Sequence, residues 1–240
     1  MNNKKTLRRT VLFPSLLIFI IALVSGCSDN GFSVAENNNG GGNGNDNVSL
    51  SIKTDNSTDN PPSIIIDEAK ALINEVEAEQ EPSGAEQHIR IAPFVVHFNM
   101  NGTLITVTSG NIPSGLYNKI KFKVHKPEDN ETPPDPEFKE GSSGSLRYSF
   151  IIKGRYNGVP FVYKSRKSAN LVLIFPYPIS LQEAARNITV LINPSLWFFN
   201  GSGQIDPRDP NHENEIDDYL KNSFKRAFKD DNKDGRPDDN

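Results

Sequence analysis

Asp230, Asn232, Asp234 and Asp238 set side-chain oxygens at positions 1, 3, 5 and 9 of the stretch Asp230-Asp231-Asn232-Lys233-Asp234-Gly235-Arg236-Pro237-Asp238-Asp239, with glycine at position 6. Oxygens at that spacing converge on a hard cation, and the metal they suit is calcium. Gly235 permits the sharp turn, the carbonyl of Arg236 serves position 7, and Asp238 acts directly or through water. A bidentate carboxylate at position 12 would fall beyond Asn240. Asp239, the terminal carboxylate, or Asp206 and Asp209 of the loop Asp206-Pro207-Arg208-Asp209-Pro210 would have to complete the shell. Such an ion would be architectural, held with a Kd on the order of 0.1 to 1 mM. The opposing reading is an acidic tail that is merely solvated.

The second chemically distinctive residue is Cys27, the only cysteine in 240 residues. It ends the run Leu23-Val24-Ser25-Gly26-Cys27, behind Lys4, Lys5, Arg8, Arg9 and an apolar stretch from Val11 to Val24 that Pro14 and Ser15 interrupt. The basic start orients the segment and the apolar stretch is short of the roughly 20 residues a membrane span needs. Small residues before the thiol expose the backbone to a peptidase. The thiol then becomes an attachment point, and no other is left for disulfides, thiolate metal sites or a cysteine nucleophile.

The remaining chemistry is thin, and the chain reads as a non-enzyme. His88, His97, His125 and His212 show no metal-ligand spacing, and no GxSxG, HExxH or P-loop pattern occurs. The adjacent pairs Asp67-Glu68 and Asp217-Asp218 point to different faces of a strand, or about 100° apart on a helix, so a glycosidase pair would have to be drawn from carboxylates distant in sequence. Trp197 and Phe199, flanking Phe198, are candidates to stack on a sugar ring. Removing residues 1–26 takes away 4 of 26 basic residues and none of 30 acidic ones, leaving a net charge of −8. That balance excludes nucleic acid as a partner, since a polyanion needs a basic stripe.

These residues need elements to hold them. Residues 27–62 are dominated by Asn, Gly, Asp and Ser and read as a disordered tether, with a reach on the order of 30 to 35 Å. Residues 63–200 carry repeated strand signals. Ser63 to Glu79 fits both a helical stripe and a strand, and the β context favours the strand. Leu116 to Val124 alternates, with Ile120, Phe122 and Val124 opposite Lys119, Lys121 and Lys123. Asn101-Gly102 and Asn157-Gly158 are hairpin signals. The expected fold is mainly β, an antiparallel β-sandwich of prealbumin or immunoglobulin type with one C-terminal α-helix. That helix is expected over Asn214 to Phe228, where Ile216, Leu220, Phe224 and Phe228 recur every fourth residue; residues 201–240 hold it and the acidic loop.

Three resemblances accompany this reading. The segment ending in Cys27 resembles the signal of bacterial lipoproteins, which implies covalent lipid on Cys27, membrane attachment and, with Ser28 following, an outer-membrane address. Ile91 to His125, around Ile112-Pro113-Ser114-Gly115-Leu116-Tyr117, resembles lipoprotein domains with a transthyretin-like or carbohydrate-module-like sandwich. The acidic loop resembles an EF-hand with its entering helix, and its shorter ligand run resembles dockerin and thrombospondin-type loops. Together they imply a lipid-anchored, calcium-stabilised binding or structural module of the cell envelope. The competing reading is a carbohydrate-binding or carbohydrate-active accessory protein, with Trp197 and the Pro-rich loop Lys126 to Ser145 as its lip. An envelope protein recognised through that same loop is the third partner class.

Overall fold

A computed structural model describes residues 46–55, 63–181 and 185–238. Cys27 and most of the expected tether lie outside the described residues. Among the described residues, thirteen strands and one α-helix follow in chain order: β1 (Val48–Thr54), β2 (Ile64–Glu81), β3 (Glu86–Arg90), β4 (Phe94–His97), β5 (Ile105–Gly110), β6 (Gly115–Val124), β7 (Lys139–Glu140), β8 (Leu146–Arg147), β9 (Phe150–Tyr156), β10 (Val159–Ser165), β11 (Ala169–Leu181), β12 (Arg186–Ile192), α1 (Glu213–Asn222) and β13 (Phe224–Lys229). They form a four-stranded sheet, β13-β12-β1-β5, and a seven-stranded sheet, β10-β9-β2-β6-β11 with β3 and β4 on β2. Side chains of both sheets share one core, so the architecture is the expected sandwich. The pairing is antiparallel except between β1 and β12, which run parallel.

β1 corrects the tether boundary. Val48-Ser49-Leu50-Ser51-Ile52 alternates apolar and polar residues inside the Asn/Gly-rich region, and Val48, Leu50 and Ile52 are buried. The strand lies between β12 and β5, so composition averaged over the surrounding glycines hid an element that joins one sheet together. Its polar face is also used. Asn187 Oδ1 accepts hydrogen bonds from Ser49 Oγ and Ser51 Oγ, both 2.8 Å.

The C-terminal helix is shorter than expected. α1 begins with Glu213 and Glu215 in its first turn and has Lys221 in its last, charges that suit the helix dipole, and it buries Ile216 and Leu220. Ser223 ends it, with its N–H and hydroxyl both donating to the Leu220 carbonyl. Phe224 and Phe228 then belong to β13, paired along β12. A four-residue recurrence is compatible with a helical turn and equally with a period of two, and the open edge of β12 selects the strand.

The two hairpin signals separate in the same way. Asn157 and Gly158 both have positive φ, 51° and 78°, and join β9 to β10 with Tyr156 opposite Val159, as a type I′ turn requires. Asn101-Gly102 also turns the chain, but the strands on its two sides pair in different sheets, β4 with β2 and β5 with β1. Turn chemistry specifies a reversal, not the edge to which the chain returns.

β2 organises the larger sheet. Val76 faces both Arg90 of β3 and Phe122 of β6, and Lys70 faces both His97 of β4 and Ile151 of β9. On one side its partner changes at Leu72, whose N–H donates to Ser149 O (2.9 Å) while its carbonyl accepts from His125 N (3.1 Å). The Pro-rich segment leaves at His125 and returns at Ser149, so it spans this fork. Phe138 and Tyr148 pack with Leu72 and Ile151 in a second small core. Beside it Lys70, only 3% exposed, pairs with Asp135 at 2.5 Å and with Glu137. Burial by itself lowers the lysine; the hydrogen bonds of Asp135 and Glu137 outweigh it and hold the ammonium above its ordinary value. Lys153 and Lys70 push the Glu137 carboxyl down to about 2. Lys139 Nζ donates to the carbonyls of Glu128, Asp129 and Glu131, at 3.2, 2.7 and 2.7 Å, which ties down the segment's first half.

Two outcomes follow from this packing. Leu50→Ala should lower unfolding free energy by about 2 to 5 kcal/mol in a urea titration; a change near zero would return residues 48–54 to the tether. Glu137 is depressed in the folded state, so its contribution is complete above its ordinary value of 4.5 and is lost as pH falls toward 2. The gap in urea midpoint between wild type and Glu137→Gln should therefore close over that acid window, and a constant gap would contradict the ion pairing.

Candidate functional site

The acidic loop is a built structure. Asp230 is fully buried at the end of β13. Its Oδ1 accepts the Asp234 N–H at 3.0 Å; its Oδ2 accepts the Gly235 N–H at 3.0 Å and the Thr189 hydroxyl at 2.6 Å. Its carbonyl accepts from Asn187 Nδ2 at 2.9 Å. Asn232 Oδ1 receives the Asp234 N–H and Asp234 Oδ1 the Arg236 N–H, at 3.0 and 2.8 Å. Asp238 closes the turn, accepting the Asp231 N–H at 2.6 Å while its own N–H donates to Lys229 O at 2.9 Å. Asp231, which carried no role in the sequence reading, anchors the loop through Arg186 (2.7 Å) and the Asn187 N–H (3.0 Å).

Gly235 sits at φ +78°, and a side chain there would lie 2.4 Å from the Lys53 side chain. The positive φ is what requires glycine here, since the end of the Lys53 side chain could move aside. Lys53 Nζ donates to the Asp234 carbonyl at 3.4 Å. The chain enters this loop from a strand rather than a helix, which departs from the EF-hand arrangement. The Asp230 carboxylate is surrounded by the loop's own N–H groups and the Thr189 hydroxyl, and Asp230, Asp234 and Asp238 do not bring their ligand atoms within 4.8 Å of one another. Among the described residues, the three side chains whose ligand atoms all lie within 4.8 Å of one another are Glu75, Glu77 and His88.

That trio arises from sheet irregularities. Asn74 is an extra residue where β2 passes from Val124 to Lys123 of β6, so Glu75, Glu77 and Glu79 turn to the outward face while Val76 and Ala78 enter the core. Ile89 is likewise extra between Arg90 and His88, which sets His88 opposite Glu77. His88 Nδ1 lies 2.7 Å from Glu75 Oε1 and 3.4 Å from Glu77 Oε1. Lys123 pairs with Glu75 and stands 3.7 Å from Glu77. Further along, Glu79 pairs with Lys119 (2.5 Å) and Lys121 (2.8 Å), and Lys121 also with Glu86. The Lys119-Lys121-Lys123 face, opposite the apolar one, is therefore one side of an ordered charge ladder.

Inside this ladder two carboxylates diverge. Burial raises Glu77, and the neighbouring Glu75 raises it further. Burial also acts upward on Glu75, but hydrogen bonds from Lys123 and from the Glu77 carboxyl outweigh it and hold Glu75 below its ordinary value. Like charges on i and i+2 of one strand face cannot both ionise freely, so Glu77 retains its proton to higher pH. The sequence held the signal in Glu75, Glu77 and Glu79 at period two, but pairing with His88 depended on both bulges.

The aromatic candidates do not form a platform. Trp197 is 1% exposed and meets Phe98 edge to face at 5.8 Å in the core, with Nε1 buried and without a hydrogen-bond partner. Phe198 packs edge-on against Phe161 and Tyr163. Phe199 is 37% exposed, and Trp197 is not available beside it to grip a sugar. The reason is packing: the widest apolar side chain of the run fills the space between sheets. An open cleft of about 370 Å³ does lie between the Pro-rich segment and the loop before α1, walled by Tyr148, Lys164, Arg166, Arg208 and Glu213. Two of its three cations are engaged in ion pairs, Lys164 with Glu140 and Arg208 with Asp206, and Arg166 lies over the Tyr148 ring. Among the described residues no helix is long and apolar enough to cross a membrane.

No protein-family profile and no curated protein matches the chain. A solved structure, MbnP from Methylosinus trichosporium, is similar over 63% of this chain and 76% of its own, at 10% identity and a TM-score of 0.38. No functional statement rests on a likeness of that size.

The Glu75–Glu77 pair generates a signed outcome. The folded state holds the Glu77 proton above the ordinary value of 4.5, so stability falls as pH rises through the interval between that value and the raised one. Glu77→Gln should abolish this fall, making the variant the more stable protein at neutral pH with the difference vanishing below about pH 4.5. Thermal midpoints between pH 4 and 8 test it; a wild type more stable at pH 7 would contradict the assignment.

Proposed function

We propose that this protein is a lipid-anchored, non-catalytic module of the cell envelope, whose sandwich head is locked by calcium at the loop Asp230–Asp238. The observation that carries the calcium reading is the burial of the Asp230 carboxylate. Two backbone N–H groups and a hydroxyl orient it, as a loop must orient its first ligand before the remaining oxygens can close on an ion. The ion would draw Asn232, Asp234, Asp238 and the Arg236 carbonyl inward and fasten the end of β13 to β12 and β1. Binding to the folded state alone adds about 1.4 kcal/mol at ten times Kd. The anchor rests on the sequence around Cys27, Ser28 after it favours an outer-membrane location, and a tether behind it would carry the head away from the lipid.

A carbohydrate role finds less support, since Trp197 is in the core and the Pro-rich segment is pinned across the fork of β2 instead of projecting as a lip.

Melting in 5 mM calcium against chelator should show a rise of a few degrees that Asp234→Ala removes, and equal midpoints in both conditions would eliminate the ion. Cys27→Ala should abolish incorporation of labelled palmitate and release the protein from membranes; retained lipid label would refute the anchor.

A further inference from the structure

We infer that Glu75, Glu77 and His88 bind a divalent transition-metal ion, for which zinc is the probe. The register of β2 and β3 holds Glu77 directly opposite His88, with Glu75 two residues away on the same face, so the donors come from paired strands and not from mobile loops. Strand pairing limits how far they can drift.

The donor spacing fits a small ion. Metal–ligand bonds of about 2.0 to 2.2 Å in a tetrahedral shell place ligand atoms roughly 3.3 to 3.6 Å apart. The His88 Nδ1 separation of 3.4 Å from Glu77 falls within that range, and the 2.7 Å to Glu75 is a direct contact that must open by less than about 1 Å, so coordination requires only small rotations of side chains. With the Glu77 proton displaced, the two carboxylates beside the imidazole form a doubly negative pocket that a divalent ion neutralises. The imidazole selects against calcium and magnesium, in contrast with the all-oxygen loop after β13. Glu77 is only 5% exposed, so this charge is partly desolvated, whereas the 44% exposed His88 side chain leaves an open side for entry and for a completing water.

Other histidines lack this arrangement. His212 meets Glu215 through Nδ1 and Asp209 through Nε2, opposite edges of the ring that cannot chelate one ion. His125 approaches Glu131 and Glu128 at 3.3 and 3.7 Å, both on the short excursion that follows it, and those three do not close to the same spacing.

Lys123 is the built-in competitor. Its ammonium pairs with Glu75 and lies near Glu77, occupying the negative charge a metal would use, but its side chain is 44% exposed and free to swing into solvent. An ordinary salt-bridge ladder and a metal site therefore respond oppositely to its removal. Loss of Lys123 weakens a ladder and strengthens a metal site.

Calorimetric titration of the purified full-length chain with zinc, with cobalt absorption as a spectroscopic readout, tests the site. Wild type should bind one equivalent here; Glu77→Gln and His88→Ala should each weaken it at least tenfold, with circular dichroism showing an intact fold. Lys123→Ala should tighten binding several-fold, and Asp234→Ala should leave it unchanged, which separates this site from the calcium loop. No stoichiometric zinc binding by wild type, undiminished binding in His88→Ala, or weaker binding in Lys123→Ala would each overturn the proposal.

Discussion

The need to satisfy both edges of one long strand governs the larger sheet. β2 runs for 18 residues with partners on each side, and no single neighbour is long enough to match it. On one side β9 gives way to β6 at Leu72, and on the other β4 gives way to β3. Buried N–H and carbonyl groups must be paired, so the chain ends that meet at Leu72 are held there by its own backbone bonds. The 126–148 segment then has to bridge the gap. Phe138 and the Lys70 ion cluster are what make that bridge a packed cover over the sheet.

The same strand decides which chemistry reaches the surface. A sheet with strict period two would send alternate β2 side chains to one face along its whole length. The extra residues Asp67 and Asn74 reset that parity, so Lys70 and Leu72 share the outward face with Glu75, Glu77 and Glu79, separated by odd intervals in sequence. Three glutamates beside three lysines of β6 produce an ion-paired ladder that limits its own desolvation cost, and the unequal fates of Glu75 and Glu77 follow from where Lys123 reaches. Surface pairs of this kind add little stability singly. Their consequence is positional, since they hold His88 and two carboxylates together.

The smaller sheet has a different dependency. β12 contributes Ile188, Val190 and Ile192 to the core and supplies Asn187 and Thr189 to a buried polar seam. Asn187 accepts from two serines of β1 and donates to the Asp230 carbonyl, and Thr189 donates to the Asp230 carboxylate. The acidic loop is therefore tied to the strand that the Asn/Gly-rich region conceals. Through these groups, closure of the C-terminal turn and docking of β1 share one set of hydrogen bonds.

Residues whose meaning is local were legible without coordinates. The alternation of Leu116 to Val124, the Asn157-Gly158 turn, the β-rich class and the oxygen spacing after Lys229 depend on near neighbours and on glycine at a positive φ, and each is present in the fold. What depended on distant partners was not legible. Phe224 and Phe228 obey a spacing that helix and strand both satisfy, and only the free edge of β12 chose between them. Asn101-Gly102 marks a reversal without naming the sheet beyond it. Trp197 is an aromatic in sequence and a core filler in space. Glu75, Glu77 and His88 are ordinary charged residues until two bulges align them, because a one-residue change in register moves a side chain to the opposite face. Composition and periodicity thus determined the class of the fold and the wound acidic loop, whereas strand pairing decided which side chains share a site.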